Sequence, residues 1–309
     1  MSLTERYADQ LDQLSEVMRA ELRQWPLAAA GRLGTTVTDQ VAREGRRLRP
    51  ITALSFAELY GARFYRTERG GLDRVVPPAA AVEFYHLSVI SDDDGPGTAT
   101  MLGSLSHHPI HRSTLLDESE KLALHGELDA AATRLSLGHA VEAGWLEGAY
   151  PSYLDYPYEQ LLAWTGSLFG CAAAMGARVA GAPERAVEDA REQGVALGAL
   201  YQFGDEFLDV FGADGPSYED FRAGRLGGPV VHLLRTLHAT GRDRAAESVV
   251  RRLADGTRSV DDFGWLLALM RACNVEETMR AELSARASPL STSGLDDLVS
   301  LVLGGYPWR

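Results

Sequence analysis

Between Leu197 and Gly212 the chain reads LGALYQFGDEFLDVFG, a helical pattern in which an apolar background carries several polar groups. Leu197, Leu200, Phe207, Leu208 and Phe211 supply the background, and Gln202, Asp205, Glu206 and Asp209 stand out against it. At 3.6 residues per turn, Asp205 and Asp209 stack on one face, with Gln202 one turn earlier. Two carboxylates so placed repel each other. Either the face is solvated, or a cation sits between them, and a hard divalent ion such as Mg²⁺, which takes oxygen ligands, suits the pair.

Helical periodicity continues over most of the chain. The N-terminal MSLTERYADQLDQLSEVMRAELRQW is amphipathic and charged, unlike a signal peptide. Trp25-Pro26 ends it, and a second helix is expected from about Ala28 to Tyr60, interrupted near Gly45 and Pro50. A Gly- and charge-rich turn covers Arg66 to Arg74. Pro77 and Pro78 open a third helix, since proline is tolerated in the first turn, and it runs to about Ser91 before the loop Asp92 to Gly97. Asp117 to Glu120 give an acidic start to a helix reaching about Leu146, as the helix dipole favours. Two more are expected at about Pro157 to Gly181 and Pro183 to Phe211, followed by loops at Gly212 to Pro216 and Gly224 to Pro229 and shorter helices to Gly304. Alternating strand patterns are nearly absent. The expected fold is an all-α bundle around a central cavity, holding ligands between facing helices. No linker divides the 309 residues, so residues 1–309 are expected to form a single domain.

Composition narrows the function. A formal charge of −13 argues against a nucleic-acid partner. Two cysteines, Cys171 and Cys273, in no CxxC pair, indicate neither a disulfide framework nor a zinc site, and a cytoplasmic location is expected. No apolar run reaches the roughly 18 residues of a membrane span. The chain has 29 arginines and one lysine, Lys121, so an arginine in place of a lysine need not signal changed chemistry.

Three further constellations stand out. Gly45-Arg46-Arg47-Leu48-Arg49-Pro50 gathers three arginines around one turn, either a solvated basic turn or a site whose forked donors suit a diphosphate. HLSVISDDDG places three aspartates at a helix C-terminus, the wrong end for the dipole, unless a cation or basic group compensates; the plainer meaning of such a run is a turn. His86, seven residues before Asp93, shares nearly the same face, as a ligand-binding group or as a satisfied core histidine. Finally, Tyr158 to Ala182 is rich in small residues that permit close helix packing, and Trp164-Thr165-Gly166 marks a point where the helix can open.

In this order the segments resemble the trans-isoprenyl diphosphate synthase (polyprenyl synthetase) family. EGRRLRP is similar to that family's GGKRxRP, and AVEFYHLSVISDDD to its AxExxHxxSLxHDD. YEQLLAWTGSLFGCAAAMGARVAGA is similar to the helix carrying its lysine-threonine pair, YQFGDEFLDVFG to its second aspartate-rich motif FQxxDDxLDxxG, and FRAGRLGGP to the loop that follows. The resemblance covers about residues 28 to 240.

The resemblance implies an isoprenoid synthase-type helical bundle and Mg²⁺-dependent condensation of an allylic prenyl diphosphate with isopentenyl diphosphate. It implies that Arg46, Arg49 and His86 hold the homoallylic diphosphate, and that Asp93 and Asp94, with Asp205 and Asp209, form the two metal motifs. By the same resemblance Gln202 borders the allylic chain, Thr165 lies near the reacting carbons, and Arg225 stands for the lysine of the late loop. The residue five before the first motif, which gates chain length in the family, is Ser88, whose small size suggests a product of C20 or longer; Tyr85 and Phe84 could close the cavity a turn deeper. A homodimer is expected on the same ground.

The chain also departs from the pattern. After Asp94 come Gly95 to Ala99, so the distal carboxylate of the first motif is missing. The arginine pair that normally follows is missing too, and only Arg112 in HHPIHR stands near enough in sequence to substitute. Trp164 replaces the family lysine before Thr165, and Glu206 replaces an aspartate. Three readings remain: a prenyltransferase in which Asp92 or His107, His108 and His111 compensate; a terpene cyclase-like enzyme with Trp164 offering a π face to a carbocation; or a catalytically weak regulatory subunit that pairs with an active synthase.

Overall fold

A computed structural model describes residues 1–43, 45–64, 71–91, 96–148, 152–212, 218–254, 260–304 and 306. Among them every regular element is helical, so the chain is all-α, as expected. In order the helices are α1 (Leu3–Arg6), α2 (Ala8–Leu22), α3 (Arg32–Ala42), α4 (Leu48–Phe64), α5 (Val76–Ile90), α6 (Pro96–Leu105), α7 (His108–Arg112) and α8 (Glu118–Leu146). They continue with α9 (Tyr158–Thr165), α10 (Ser167–Val179), α11 (Glu184–Phe211), α12 (Glu219–Ala223), α13 (Gly228–Ala239), α14 (Asp243–Ala254), α15 (Val260–Ala272), α16 (Val275–Thr292) and α17 (Asp296–Val302). Among the described residues no helix is long and apolar enough to cross a membrane.

The residues fall into two compact units: 1–134 with 167–197, and 135–166 with 198–309. In the first, α5 is apolar around most of its circumference, and Val76 to Phe84 are all buried. Pro77 and Pro78 sit in its first turn, where a missing N–H removes no helical hydrogen bond. α10 reaches its neighbours through glycine. A Cβ on Gly176 would lie 2.1 Å from the Ala53 carbonyl oxygen of α4, and one on Gly170 would lie 2.6 Å from Val195 of α11. The small residues of this stretch therefore do what the sequence suggested: they let helix backbones approach to a distance that any side chain would forbid. The core so formed includes Phe56, Phe84 and Phe169, each fully buried and each worth about 1.5–3 kcal/mol of apolar transfer.

In the second unit α14 buries Ala246, Val249 and Leu253, the stripe of an amphipathic helix, and α11 meets the residue that ends α17 where a Cβ on Gly204 would come 2.8 Å from Leu303.

Some boundaries differ from the sequence expectation. The segment from Ala28 is a 3-10 turn (Leu27–Ala30) followed by α3, which ends at Ala42, and α4, which starts at Leu48. Pro50 does not interrupt α4; it occupies the third helical position, whose N–H has no helical acceptor in any case. α6 and α7 fill a region to which the sequence pattern assigned no helix. The break at Gly166 is where it was expected: its N–H closes onto the Leu162 carbonyl, and α10 starts afresh at Ser167.

Candidate functional site

In the first unit the basic turn and the α5 histidine come together. Arg47 is the residue just before α4 and has φ +50°, while its carbonyl accepts the Ile51 N–H at 3.0 Å. Arg46 is exposed and Arg49 half-buried, with the Arg49 guanidinium 4.9 Å from the centre of the Phe169 ring. His86 is held neutral, its pKa pushed well below the usual value first by burial and then by the positive charges of Arg49 and Arg47. Burial is the larger cause and the guanidiniums add to it; Arg49 places positive charge beside the neutral imidazole, an environment that suits an anion. Arg47 itself is spent inside the protein, for its Nη1 donates to Glu83 Oε1 at 2.9 Å in a pair of which 9% and 5% is exposed.

Arg112, at the end of α7, is exposed and places Nη1 3.3 Å from Glu21 Oε2, an oxygen that His108 Nδ1 also approaches at 3.4 Å. His107 meets His125 with 3.1 Å between their Nδ1 atoms. Ser88 is buried on α5 and donates to the Tyr85 carbonyl at 2.7 Å, and Gly103 of α6 faces it, since a Cβ there would lie 3.7 Å from the Ser88 hydroxyl. Asp93 and Asp94, like Asp92, lie outside the described residues.

The second unit carries the acidic residues. On α11 Asp205 is exposed and Asp209 half-buried. Asp209 Oδ1 accepts the Glu219 N–H at 3.0 Å, capping α12. The sequence reading did not single out Asp220, on α12. Its carboxyl is pushed up by burial and by the charges of Asp209 and Asp205, against the pull of Arg225, whose Nε lies 3.1 Å away. Glu142 is raised as well, by burial first, with Arg225, His139 and Asp220 as its charged neighbours. Asp205, Asp209 and Asp220 thus share one field, with Arg225 at its edge. No group of three His, Cys, Asp or Glu side chains among the described residues is arranged as a metal site. The donor set nevertheless fits Mg²⁺: the carboxylates offer hard oxygens, and Asp209 and Asp205 act on Asp220 strongly enough to add to the raising effect of its burial, a repulsion that a divalent ion would relieve.

Glu206 is the functional-site residue that sequence reasoning undervalued. Although next to Asp205, it is turned about 100° around the helix from it and is buried. Its Oε2 accepts the Tyr158 hydroxyl at 2.6 Å and the Gly228 N–H at 2.6 Å, and its Oε1 accepts Gln202 Nε2 at 2.9 Å. Gln202 is therefore tethered to Glu206. Burial, followed by the Asp220 charge, pushes the Glu206 carboxyl up to about 7 against those three hydrogen bonds. A signal was present: position 206 lies three residues after Phe203 and four before Val210, on the stripe that α11 buries. Gly228 completes the arrangement, because a Cβ there would lie 2.5 Å from the Tyr158 oxygen and 3.0 Å from Glu206 Oε2. Trp164 and Thr165, both half-buried, end α9, and the Trp164 Cβ would be 3.5 Å from a Cβ on Gly138.

A family model described as polyprenyl synthetase matches residues 107–263. The chain is 25% identical over 228 residues to the short chain isoprenyl diphosphate synthase of Methanocaldococcus jannaschii, an alignment covering 66% of each chain. It is 26% identical over 210 residues to the geranylgeranyl diphosphate synthase of Saccharolobus solfataricus, covering 59% of this chain and 60% of that one. The matched region thus spans 66% and 60% of these two relatives' own length. In fold, the chain is similar to a polyprenyl synthase from Caulobacter crescentus crystallised with calcium and isoprenyl diphosphate, with a TM-score of 0.77 at 20% identity over 97% of this chain and 96% of that one.

Proposed function

We propose, because the chain belongs to the polyprenyl synthetase family, that it is a prenyltransferase that condenses an allylic prenyl diphosphate with isopentenyl diphosphate in a Mg²⁺-dependent reaction. The observation that carries this reading is the field that Asp220 shares with Asp205 and Asp209, on a helix whose other side is apolar core. Its counterpart is the positive site of Arg49 and the neutral His86, which with Arg46 would hold the homoallylic diphosphate. Asp205 and Asp209, together with Asp93 and Asp94, would hold the metal. When bound, Mg²⁺ supplies the positive charge that neutralises the departing diphosphate.

The chain's own residues do the rest. Arg49 and His86 orient the isopentenyl unit by its diphosphate, leaving its double bond to be directed at the allylic carbon. Thr165 and Trp164 line the approach to the reacting carbons, with the indole face available to a developing cation. Arg225, tied to Asp220, stands ready at the edge of the acidic group, and Gln202 is fixed beside it through Glu206. Arg112 serves as the remaining cation near the allylic diphosphate. Ser88, small and flanked by Gly103, suits a product of C20 or longer, in keeping with relatives named as geranylgeranyl and geranylfarnesyl diphosphate synthases. We further propose that residues 1–309 act as one catalytic domain, in a cytoplasmic homodimer.

The test is incubation of the pure protein with Mg²⁺, isopentenyl diphosphate and each of the C5 to C20 allylic diphosphates. A longer diphosphate is expected, and Asp205→Ala should remove it together with Mg²⁺-dependent ligand binding while circular dichroism keeps its helical signal. A hydrocarbon or alcohol would favour the cyclase-like reading instead, which Trp164 in the lysine's place motivates. Product formed only after an active synthase is added would make the chain a regulatory subunit.

A further inference from the structure

We infer that Glu83 is a positioning residue: by a buried ion pair with Arg47 it holds the left-handed turn that sets Arg46 relative to Arg49 at the start of α4. The inference rests on the reading above that Arg46, Arg49 and His86 take the homoallylic diphosphate.

Arg47 has φ +50°, a region that residues with a Cβ enter rarely and keep only when their surroundings enforce it. Here the enforcement is visible. The Arg47 guanidinium is gripped on one side by Glu83 Oε1 at 2.9 Å, and its Nη2 reaches the Arg43 carbonyl at 3.5 Å. Nη1 also lies 3.9 Å from Met18 Sδ. The side chain thus spans from the end of α3 to the face of α5, and the backbone it anchors is the link between Arg46 and Arg49. Were φ to return to negative values, Arg46 would leave the turn on a different heading, while Arg49, in the first turn of α4, would stay with its helix.

Glu83 and His86 stand at i and i+3 on α5, so they are neighbours on one helical face, and the same two arginines, Arg49 and Arg47, act on His86. One face of α5 therefore offers a carboxylate to the arginine between the two ligands and an imidazole to the ligand side. The pair is poorly explained as a stability device. Glu83 Oε2 is buried with no hydrogen-bond partner among the described residues, and a buried pair satisfied on one oxygen only gives back little of its desolvation cost. A clamp that fixes geometry accounts for both the burial and the strain.

The experiment measures binding of isopentenyl diphosphate to the full chain by calorimetry, alongside steady-state kinetics, for the parent, Glu83→Gln, Arg47→Ala and Arg47→Gly. Glu83→Gln should weaken binding about tenfold and raise KM by a larger factor than it lowers kcat, the mark of lost ground-state binding. Arg47→Gly permits φ +50° without strain, so it should retain more affinity than Arg47→Ala, although both lose the ion pair. A folded Glu83→Gln that binds like the parent, or Arg47→Gly and Arg47→Ala weakened equally, would overturn the clamp. If the parent chain itself bound no isopentenyl diphosphate, the assignment of the site would fall first and this inference with it.

Discussion

Replacing Glu206 by glutamine should change how stability depends on pH, and the size of the change follows from the site. In the folded chain burial and the charge of Asp220 lift the Glu206 carboxyl from an ordinary 4.5 to about 7. Between those values the folded state keeps a proton that the unfolded chain releases, so the native state loses stability as pH rises through the window and is level on either side of it. At about 1.4 kcal/mol per pH unit, the whole rise is worth roughly 3 kcal/mol. A glutamine in this place would not titrate. It can still accept Tyr158 and Gly228 through its carbonyl oxygen, and its amide would meet Gln202, whose own amide needs only to turn over to present oxygen. The Glu206→Gln variant should therefore fold, and its stability relative to the parent should grow by most of that amount between about pH 5 and pH 8. Urea denaturation followed by circular dichroism across this range measures the difference directly. Parallel curves for the two proteins would mean that Glu206 ionises at the same pH folded and unfolded, and the buried-acid account of α11 would be refuted.

Gly228→Ala forces a methyl to within 2.5 Å of the Tyr158 oxygen and should cost about 1–3 kcal/mol by denaturant titration; adding Tyr158→Phe, which removes that oxygen, should recover part of it, a coupling read by the double-mutant cycle. Glu127 is buried and receives hydrogen bonds from Arg178 at 2.8 Å and Arg191 at 2.8 and 3.0 Å, so Glu127→Gln leaves each guanidinium with only its outer carboxylate, Glu184 or Glu188, and should cost about 1–3 kcal/mol; an unchanged denaturation midpoint would disprove its part in holding the first unit together. His86 should stay neutral in the free protein down to well below its usual pH, and saturating isopentenyl diphosphate should raise its titration midpoint, because the anion offsets Arg49 and Arg47. Nuclear magnetic resonance of the labelled imidazole reports both, and an ordinary midpoint in the free chain would contradict the geometry.

Much of this could be read from the chain, and the remainder was hidden for identifiable reasons. Helical periodicity placed α11, the glycine-rich α10 and the break at Gly166, because each leaves a periodic or compositional mark. The pairing of Arg49 with His86 followed from a resemblance of motifs, and the positive field around His86 reflects how near the two stand. What the pattern could not resolve was the direction of single side chains within an acidic run. Asp205 and Glu206 are consecutive and similar in chemistry, but about 100° of helical rotation separates an exposed carboxylate from a buried one. Likewise Arg46, Arg47 and Arg49 read as one basic cluster, and only the left-handed φ of Arg47 and its buried partner reveal that the middle charge is used internally. Pro50 looked like a helix breaker because its effect depends on position, and three residues into α4 it breaks nothing.

The opposite local charges of the two units also bear on the proposed function, in which so acidic a chain must take diphosphates. A net charge of −13 repels anions at long range, but that repulsion is screened within about 10 Å at ordinary salt. Affinity then depends on the local balance, and in the first unit Arg49 and Arg47 add their positive charge to the burial that keeps the His86 imidazole unprotonated. In the second unit Asp209 and Asp205 add to the burial that raises the Asp220 carboxyl, against Arg225 3.1 Å away. A free diphosphate would find only the first attractive, whereas a diphosphate carrying Mg²⁺ would be drawn to the second. Added salt should therefore affect isopentenyl diphosphate binding little, because the attraction acts at contact distance, while Mg²⁺ should strengthen allylic diphosphate binding far more than isopentenyl diphosphate binding. Calorimetric titrations of the two ligands with and without Mg²⁺ separate these cases, and equal Mg²⁺ dependence for both would show that the charge division between the units does not select between substrates.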